Sequence, residues 1–294
     1  MLKYPLKAVI PAAGTGTRLL PTTKEQPKEL LPVFSKSIRG DRLVKPILQL
    51  IFEQLFDYGI REFYFIGGRN KRMIEDHFSI DYNFIDRLNR ESKSFYAKEM
   101  SNFYDKLSAS HISWINQPMP KGFGHAVLLA KPLVGNEPFL VHAGDTLILS
   151  KTRRYIDDLI KIHDRLKSLS TFLVCRVKNP ERYGVVTGRQ DHKGVINIES
   201  VIEKPSRPKS NLAIMPIYVF DSSIFDTLAR TEPGLNNEIQ LTDGISKLLE
   251  LNKNKVNAIK MNNDDLFVDV GNPETYWQAL KITYKAGVFL PSAI

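Results

Sequence analysis

The apolar run Leu6–Pro11 (LKAVIP) and the small-residue turn after it, Ala12-Ala13-Gly14-Thr15-Gly16-Thr17-Arg18, constrain the fold more tightly than any other stretch. A short apolar run ending in such a turn reads as a buried parallel strand that delivers backbone to a crevice. Gly14 and Gly16 can take positive φ, and without a Cβ they let a ligand approach the main chain. Consecutive N–H groups in a turn of this kind form an anion-binding concavity. Arg18 follows directly, and Lys28 comes shortly after in Pro27-Lys28-Glu29-Leu30-Leu31-Pro32. A small turn with two nearby cations reads as a triphosphate cradle.

Two common phosphate-binding loops do not fit. A Walker loop needs Gly-x-x-x-x-Gly-Lys-Ser/Thr, and no lysine follows Gly14 in that register. A dinucleotide fingerprint needs a third Gly or Ala where Leu19 stands, and an acidic residue about 20 positions further on. The pattern that does fit is Ala-Gly-x-Gly-Thr-Arg-Leu-x-Pro-x-Thr followed by Pro-Lys-x-Leu-Leu-Pro, matched from Ala13 to Pro32. In this the chain resembles the sugar-1-phosphate nucleotidylyltransferase family. The Ala13-Gly14 form, with Thr22-Thr23-Lys24 and Pro27-Lys28-Glu29, is most similar to the UTP–glucose-1-phosphate uridylyltransferases within it.

Of the 294 residues, 43% are hydrophobic and 25% charged, enough apolar material for a large core. The 41 basic residues exceed the 32 acidic ones, giving a net charge of +9. That excess suits a polyanionic small molecule as well as nucleic acid or a membrane surface. The cations are scattered, without a basic run or an aromatic-interleaved stripe, so no nucleic-acid partner is expected. No signal peptide is expected before Leu6, and no apolar run approaches the ~20 residues needed to span a bilayer. The single cysteine, Cys175, lies in the strand-like run TFLVCRV and is expected in the core. A cytoplasmic location is consistent with this cysteine usage.

Further along, Lys45 to Tyr58 carries Ile47, Leu48, Ile51, Phe52 and Leu55 at helical spacing, stopped by Gly59. Strands are expected at Phe63–Ile66, His111–Asn116, Pro138–Ala143 and Thr171–Val177. Helices are expected at Lys71–Phe78, from His125 to about Leu133, and at Thr152–Lys167. Alternation of this kind argues for a parallel sheet with helical crossovers. Residues 81–110 are charge-dense and aromatic-dotted, a helical excursion or lid on the sheet. From Tyr183 the texture becomes β-rich (YGVVTG, VINIESVIEKP, LAIMPIYVF), with helices over Glu238–Leu251 and Pro273–Tyr284 and a strand at Val256–Lys260. With the resemblance, the expected fold is α/β and Rossmann-like (GT-A type). It has a mixed, mostly parallel central sheet flanked by helices and a smaller β-rich sugar-binding extension. One domain over residues 1–294 is expected, nucleotide-binding to about 180 and sugar-phosphate-binding over 181–294.

In open α/β sheets ligands collect beyond the carboxyl ends of strands. Asp145 occupies such a place after PFLVHAG, where a carboxylate serves equally as a Mg²⁺ ligand or as the cap of the next turn. Asp269 in FVDVG is similar. The resemblance implies that both are metal ligands. Gln117 ends a strand, and its side-chain amide offers both a donor and an acceptor. The match of Gln117-Pro118-Met119-Pro120-Lys121-Gly122 to the family's base-reading loop implies that Gln117 and Gly122 read the base, with Ala13 and Gly14 on its other side. The triphosphate falls to Gly14, Gly16 and Thr17. The Glu203-Lys204-Pro205 match implies that Glu203 accepts from sugar hydroxyls and Lys204 faces the sugar phosphate. Gly184 lies against the sugar, and Asn211 contacts it. Glu238 is expected only to open its helix. The six histidines show no metal-like spacing, and no nucleophile elbow is present.

The implied reaction joins glucose 1-phosphate to UTP with Mg²⁺, releasing pyrophosphate. Arg18 is assigned to the leaving group, Lys28 to the nucleotide phosphates and Lys204 to the sugar phosphate. A homo-oligomer is expected, and no fused β-helix acetyltransferase. Phe34 to Pro46 departs from the family as a longer, basic loop, and His142-Ala143-Gly144 replaces its usual residues before the metal-binding aspartate. A thymidylyltransferase is the nearest rival, because Gln117 suits thymine and uracil alike. A catalytically silent nucleotide-binding subunit is another, against which the joint presence of Arg18, Lys28, Asp145 and Asp269 argues. A nucleic-acid-binding protein is the third.

Overall fold

The computed structural model of the chain describes residues 6–150 and 154–286. Its strands are β1 (Lys7–Pro11), β2 (Pro32–Lys36), β3 (Arg42–Pro46), β4 (Glu62–Gly68), β5 (His111–Gln117), β6 (Phe139–His142) and β7 (Thr146–Leu149) in the first half. β8 (Ser170–Arg176), β9 (Gly184–Gln190), β10 (Val195–Glu203), β11 (Leu212–Phe220), β12 (Val256–Lys260) and β13 (Leu266–Asp269) complete them. Nine of these form one sheet in the order β5-β4-β1-β6-β11-β8-β12-β10-β9. β5, β4, β1 and β6 run parallel, β11 enters antiparallel, and β8 and β12 are again parallel to each other. An additional pairing of Ala213 with Val185 brings β9 back against β11. The β-rich segments after Tyr183 extend the same sheet, since β9 to β12 hydrogen-bond into it.

Both sheet faces are buried, which is why the strands read as continuous apolar runs. Alternation along β1 sends Ala8 and Ile10 into one core with Leu48, Phe52 and Phe103. Val9 enters the other with Val127, Leu228 and Leu248. Among the described residues no helix is long and apolar enough to cross a membrane.

Several boundaries differ from the sequence reading. The helix expected from Lys45 runs Ile47–Asp57, and Lys45 lies in β3. A residue before proline is pushed toward extended backbone, so Pro46 separates the two elements. Phe34 to Pro46 is no loop: β2 and β3 form an antiparallel hairpin. The helix expected at 125–133 breaks into Phe123–Leu128 and Lys131–Val134, with Pro132 opening the second. The first residues of the helix expected at Thr152–Lys167 lie outside the described residues, and its body runs Arg154–Leu166. Helices Tyr82–Arg90 and Ser94–Ser108 form the excursion. The second buries Phe103, Tyr104 and Leu107 beside Leu55 and Phe52, and Glu99 accepts from the Ile38 amide at 2.7 Å. Cys175 is half-buried, with Sγ 3.5 Å from Met215 Sδ.

Candidate active site

The turn after β1 is pinned from beneath. Ala12 N–H donates to Ile66 at 2.8 Å, and Thr23 Oγ1 donates to the Gly16 carbonyl at 2.7 Å. Gly16 takes φ 68°, and a Cβ there would come 3.1 Å from Thr23 Cβ. Gly14, Thr15, Thr17 and Arg18 are left exposed at the carboxyl end of the sheet. A Cβ on Gly14 would lie 3.6 Å from Lys28 Nζ, so this ammonium hangs over the turn. Lys28 opens a short 3₁₀ turn, Lys28–Leu30, whose next residue, Glu29, points inward and accepts from Lys71 at 2.7 Å.

Lys28 Nζ also donates to Asp145 Oδ2 at 2.5 Å, with side chains 15% and 20% exposed. Asp145 is held at the mouth by Gly144, whose N–H donates to Pro11 at 3.1 Å. β7 starts immediately afterwards and pairs antiparallel with β13, opposing Thr146 to Asp269. The Val270 amide donates to the Asp145 carbonyl at 3.1 Å. This register brings together two aspartates that spacing along the chain could not relate. Burial and then the Asp145 charge push the Asp269 carboxyl up to about 6, against the pull of Lys28, Thr275 and Arg18. At Asp145 burial acts upward, but the charge and hydrogen bond of Lys28 outweigh it and hold the group below its ordinary value. Burial works against the Lys28 charge, yet Asp145, Glu29 and Asp269 together raise its proton affinity. Arg18, Lys28, Asp145 and Asp269 thus belong to one electrostatic cluster.

The sugar-side residues form an adjoining group. β9 and β10 oppose Gly184 to Glu203, and Lys204 N–H donates to the Tyr183 carbonyl at 3.0 Å. Glu203 accepts from Thr242 Oγ1 and from Lys204 Nζ, each at 3.0 Å. A Cβ on Gly184 would lie 2.7 Å from Thr242 Cγ2, so only glycine fits there. Burial raises the Tyr183 phenol, and so does the charge of Asp269, which joins the two groups. Asn211 is exposed at the start of β11; its carbonyl accepts from Val177, and its side chain has no hydrogen-bond partner among the described residues. Among the described residues no hydrogen bond ties it to Glu203 or Lys204.

Gln117 is buried at the end of β5, opposite Gly68 of β4. A Cβ on Gly68 would come 3.0 Å from the Ala13 carbonyl, so Gly68 lies between Gln117 on one side and Ala13 on the other. The Gln117 amide nitrogen donates to Gly122 O at 3.2 Å and meets His125 Nδ1 at 2.8 Å. The amide therefore does not offer both donor and acceptor to a ligand, because its donors are used internally. Glu238 precedes the helix Leu241–Leu251 instead of opening it, and its Cβ packs against Gly122. Sequence reasoning missed Thr242, which lies inside the helix expected over Glu238–Leu251. It also missed Thr275 and His125, for which no spacing gave a signal.

The family model described as nucleotidyl transferase matches residues 7–285. The chain belongs to the nucleotidyl transferase family. Among proteins of this family, it is 34% identical over 285 residues to the UTP–glucose-1-phosphate uridylyltransferase of Pseudomonas aeruginosa, covering 95% of this chain and 96% of that one. It is 38% identical over 255 residues to one from Bacillus subtilis, covering 84% and 80%. Among solved structures, a UDP-glucose pyrophosphorylase complexed with UDP-glucose superposes with TM-score 0.80 at 32% identity, covering 96% of this chain and 100% of that one. A UTP-bound relative from Acinetobacter baumannii gives TM-score 0.80 at 26% identity, covering 96% and 98%. This nucleotidyl transferase thus shares its α/β architecture with UDP-glucose pyrophosphorylases across nearly its full length.

Proposed function

We propose that this nucleotidyl transferase transfers a uridylyl group from UTP to glucose 1-phosphate, giving UDP-glucose and pyrophosphate. The observation that carries this reading is the Lys28 ammonium, held between Asp145 and the open backbone of Gly14, with Asp269 and Arg18 alongside. Such a cluster suits chemistry in which two polyanions must meet. In this reading Ala13, Gly14, Gln117 and Gly122 hold the uracil, and Gly16 and Thr17 face the triphosphate. Glu203 accepts from sugar hydroxyls, Gly184 and Asn211 contact the sugar, and Lys204 holds its phosphate. Residues to about 180 serve the nucleotide and 181–294 the sugar phosphate, within one domain.

A phosphate oxygen of glucose 1-phosphate attacks the α-phosphorus of UTP. The new P–O bond forms as the bond to the β-phosphate oxygen breaks, and Arg18 takes up the charge of the leaving pyrophosphate. A phosphate monoester is largely dianionic near neutral pH, its second pKa lying near ~6, so no general base is required. Asp145 and Asp269 are hard oxygen donors with Lys28 as their shared ammonium, and burial and then the Asp145 charge hold the Asp269 carboxyl up. They fit Mg²⁺, which when bound supplies charge neutralisation on phosphate oxygens. A homo-oligomer working in the cytoplasm is part of the same reading, and light scattering checks the assembly.

The deciding experiment is pyrophosphate release in Mg²⁺ from a panel of nucleoside triphosphates and sugar 1-phosphates. UTP with glucose 1-phosphate is expected to be fastest, dTTP slower, and all turnover lost in EDTA. Absence of pyrophosphate release from every pair overturns the proposal.

A further inference from the structure

We infer that His125 is a positioning residue that sets base selectivity by locking the amide of Gln117 in one orientation. The inference rests on the reading of Gln117 as the uracil contact and adds a residue to it. The Gly122 carbonyl can only accept, so the Gln117 atom 3.2 Å from it must be the amide nitrogen. The same nitrogen lies 2.8 Å from His125 Nδ1. Both amide hydrogens are then committed, one to each partner, and Nδ1 must carry a lone pair. The imidazole proton therefore resides on Nε2. Burial, and then the Lys121 charge, lower the proton affinity of His125 and keep the ring neutral.

The backbone around this pair is fixed. Gly124 N–H donates to Ile239 O at 2.9 Å, and Ile239 N–H donates to Lys121 O at 2.8 Å. A Cβ on Gly122 would strike Ile239 O at 2.7 Å, and Gly122 takes φ 99°. The loop that carries His125 into the helix Phe123–Leu128 thus cannot slide away from Gln117. With both amide hydrogens committed, the group Gln117 has left for a ligand is Oε1, which takes no hydrogen bond from the described residues. An oriented acceptor matches the N3–H of uracil. Cytosine has a lone pair at N3 and meets Oε1 as a repulsion. Turning the amide over would set Oε1 against two acceptors at once, Gly122 O and His125 Nδ1. Without His125 only the weaker, longer contact resists that turn.

The test is the ratio of UTP to CTP dissociation constants, measured by calorimetry in Mg²⁺ for the full chain. His125→Phe, without an acceptor, is expected to weaken UTP about ten-fold and to lower the selectivity over CTP by a similar factor. His125→Gln, which can still accept, is expected to hold the ratio near that of the unaltered protein. His125→Met reads the same quantity should the Phe variant fail to fold. A merely structural role would shift both nucleotides together and leave the ratio in place, which overturns the inference. Gln117→Leu separates the two ideas. If it collapses the ratio and the His125 variants do not, only the role of His125 fails; if it also leaves the ratio unchanged, the base reading at Gln117 fails with it.

Discussion

Lys28 Nζ donates to Asp145 Oδ2 at 2.5 Å across 117 positions of sequence, and the same ammonium overhangs Gly14. One cation thus joins the two loops at the carboxyl ends of β1 and β6. Lys28→Met would leave Asp145 facing Asp269 without its counter-charge, so the pair would retain a proton near neutral pH. Turnover is expected to fall roughly 10²–10³-fold in pyrophosphate release, the scale of removing one oriented charge from a transition state. Lys28→Arg is expected not to restore it, since a planar fork does not replace a compact ammonium in this space. Turnover close to that of the unaltered chain would remove Lys28 from the chemistry.

Asp269 gives a stability prediction whose sign opposes its function. Its carboxyl titrates near 3.8 ordinarily and at about 6 in the fold. Between those values the folded state binds the extra proton, so this group favours folding in acid and withdraws that support as pH rises through about 6. Near neutral pH the folded chain carries the full cost of the buried negative charge. Asp269→Asn is therefore expected to raise the melting temperature by roughly 4 °C near neutral pH without divalent ions. The gain should shrink below the folded value of about 6 and vanish below 3.8. Mg²⁺-dependent turnover should be lost in the same variant. Calorimetry across this range checks it, and a less stable Asn variant near neutral pH contradicts it.

The legible parts of the site were those carried by local pattern. The apolar runs ending at Ala13, Gly68 and Gly144 announce strand ends, and the glycines there announce backbone approach. What stayed hidden depends on register between remote strands. Nothing along the chain says that Asp269 opposes Thr146, yet that pairing of β7 with β13 unites the two aspartates. The β2–β3 hairpin reads as a loop because its cations mask the alternation that buries Val33 and Ser35. Spacing tests histidines only for metal-like patterns, whereas the contact of His125 is a single hydrogen bond to Gln117.

Glu29 and Lys71 form a buried ion pair at 2.7 Å, and each side chain is less than a tenth exposed. Glu29 follows Lys28 directly, so the pair anchors the turn that aims Lys28 at Asp145. Burial raises the proton affinity of Glu29 against the pull of Lys71 and Lys28, so an unpartnered carboxyl here would be costly. Lys71→Met is expected to destabilise the chain by about 3–5 kcal/mol, and adding Glu29→Leu should recover most of that loss. Denaturant unfolding of the single and double variants measures the coupling. Additive losses would show that the pair contributes no shared energy.

Lys204 has backbone φ 38°, a conformation L side chains rarely adopt, one residue after Glu203, with which it pairs at 3.0 Å. Strain at an exposed lysine beside a candidate sugar site points to a requirement on where its ammonium goes. Lys204→Ala is expected to raise KM for glucose 1-phosphate about ten-fold or more, while KM for UTP stays within about two-fold. Alanine at positive φ carries a backbone cost of its own. Lys204→Gly, which takes that φ freely, should show the same loss if the ammonium matters. Steady-state kinetics on both variants separate the two causes: recovery of glucose 1-phosphate use in the glycine variant assigns the effect to backbone strain and removes Lys204 from the sugar-phosphate site.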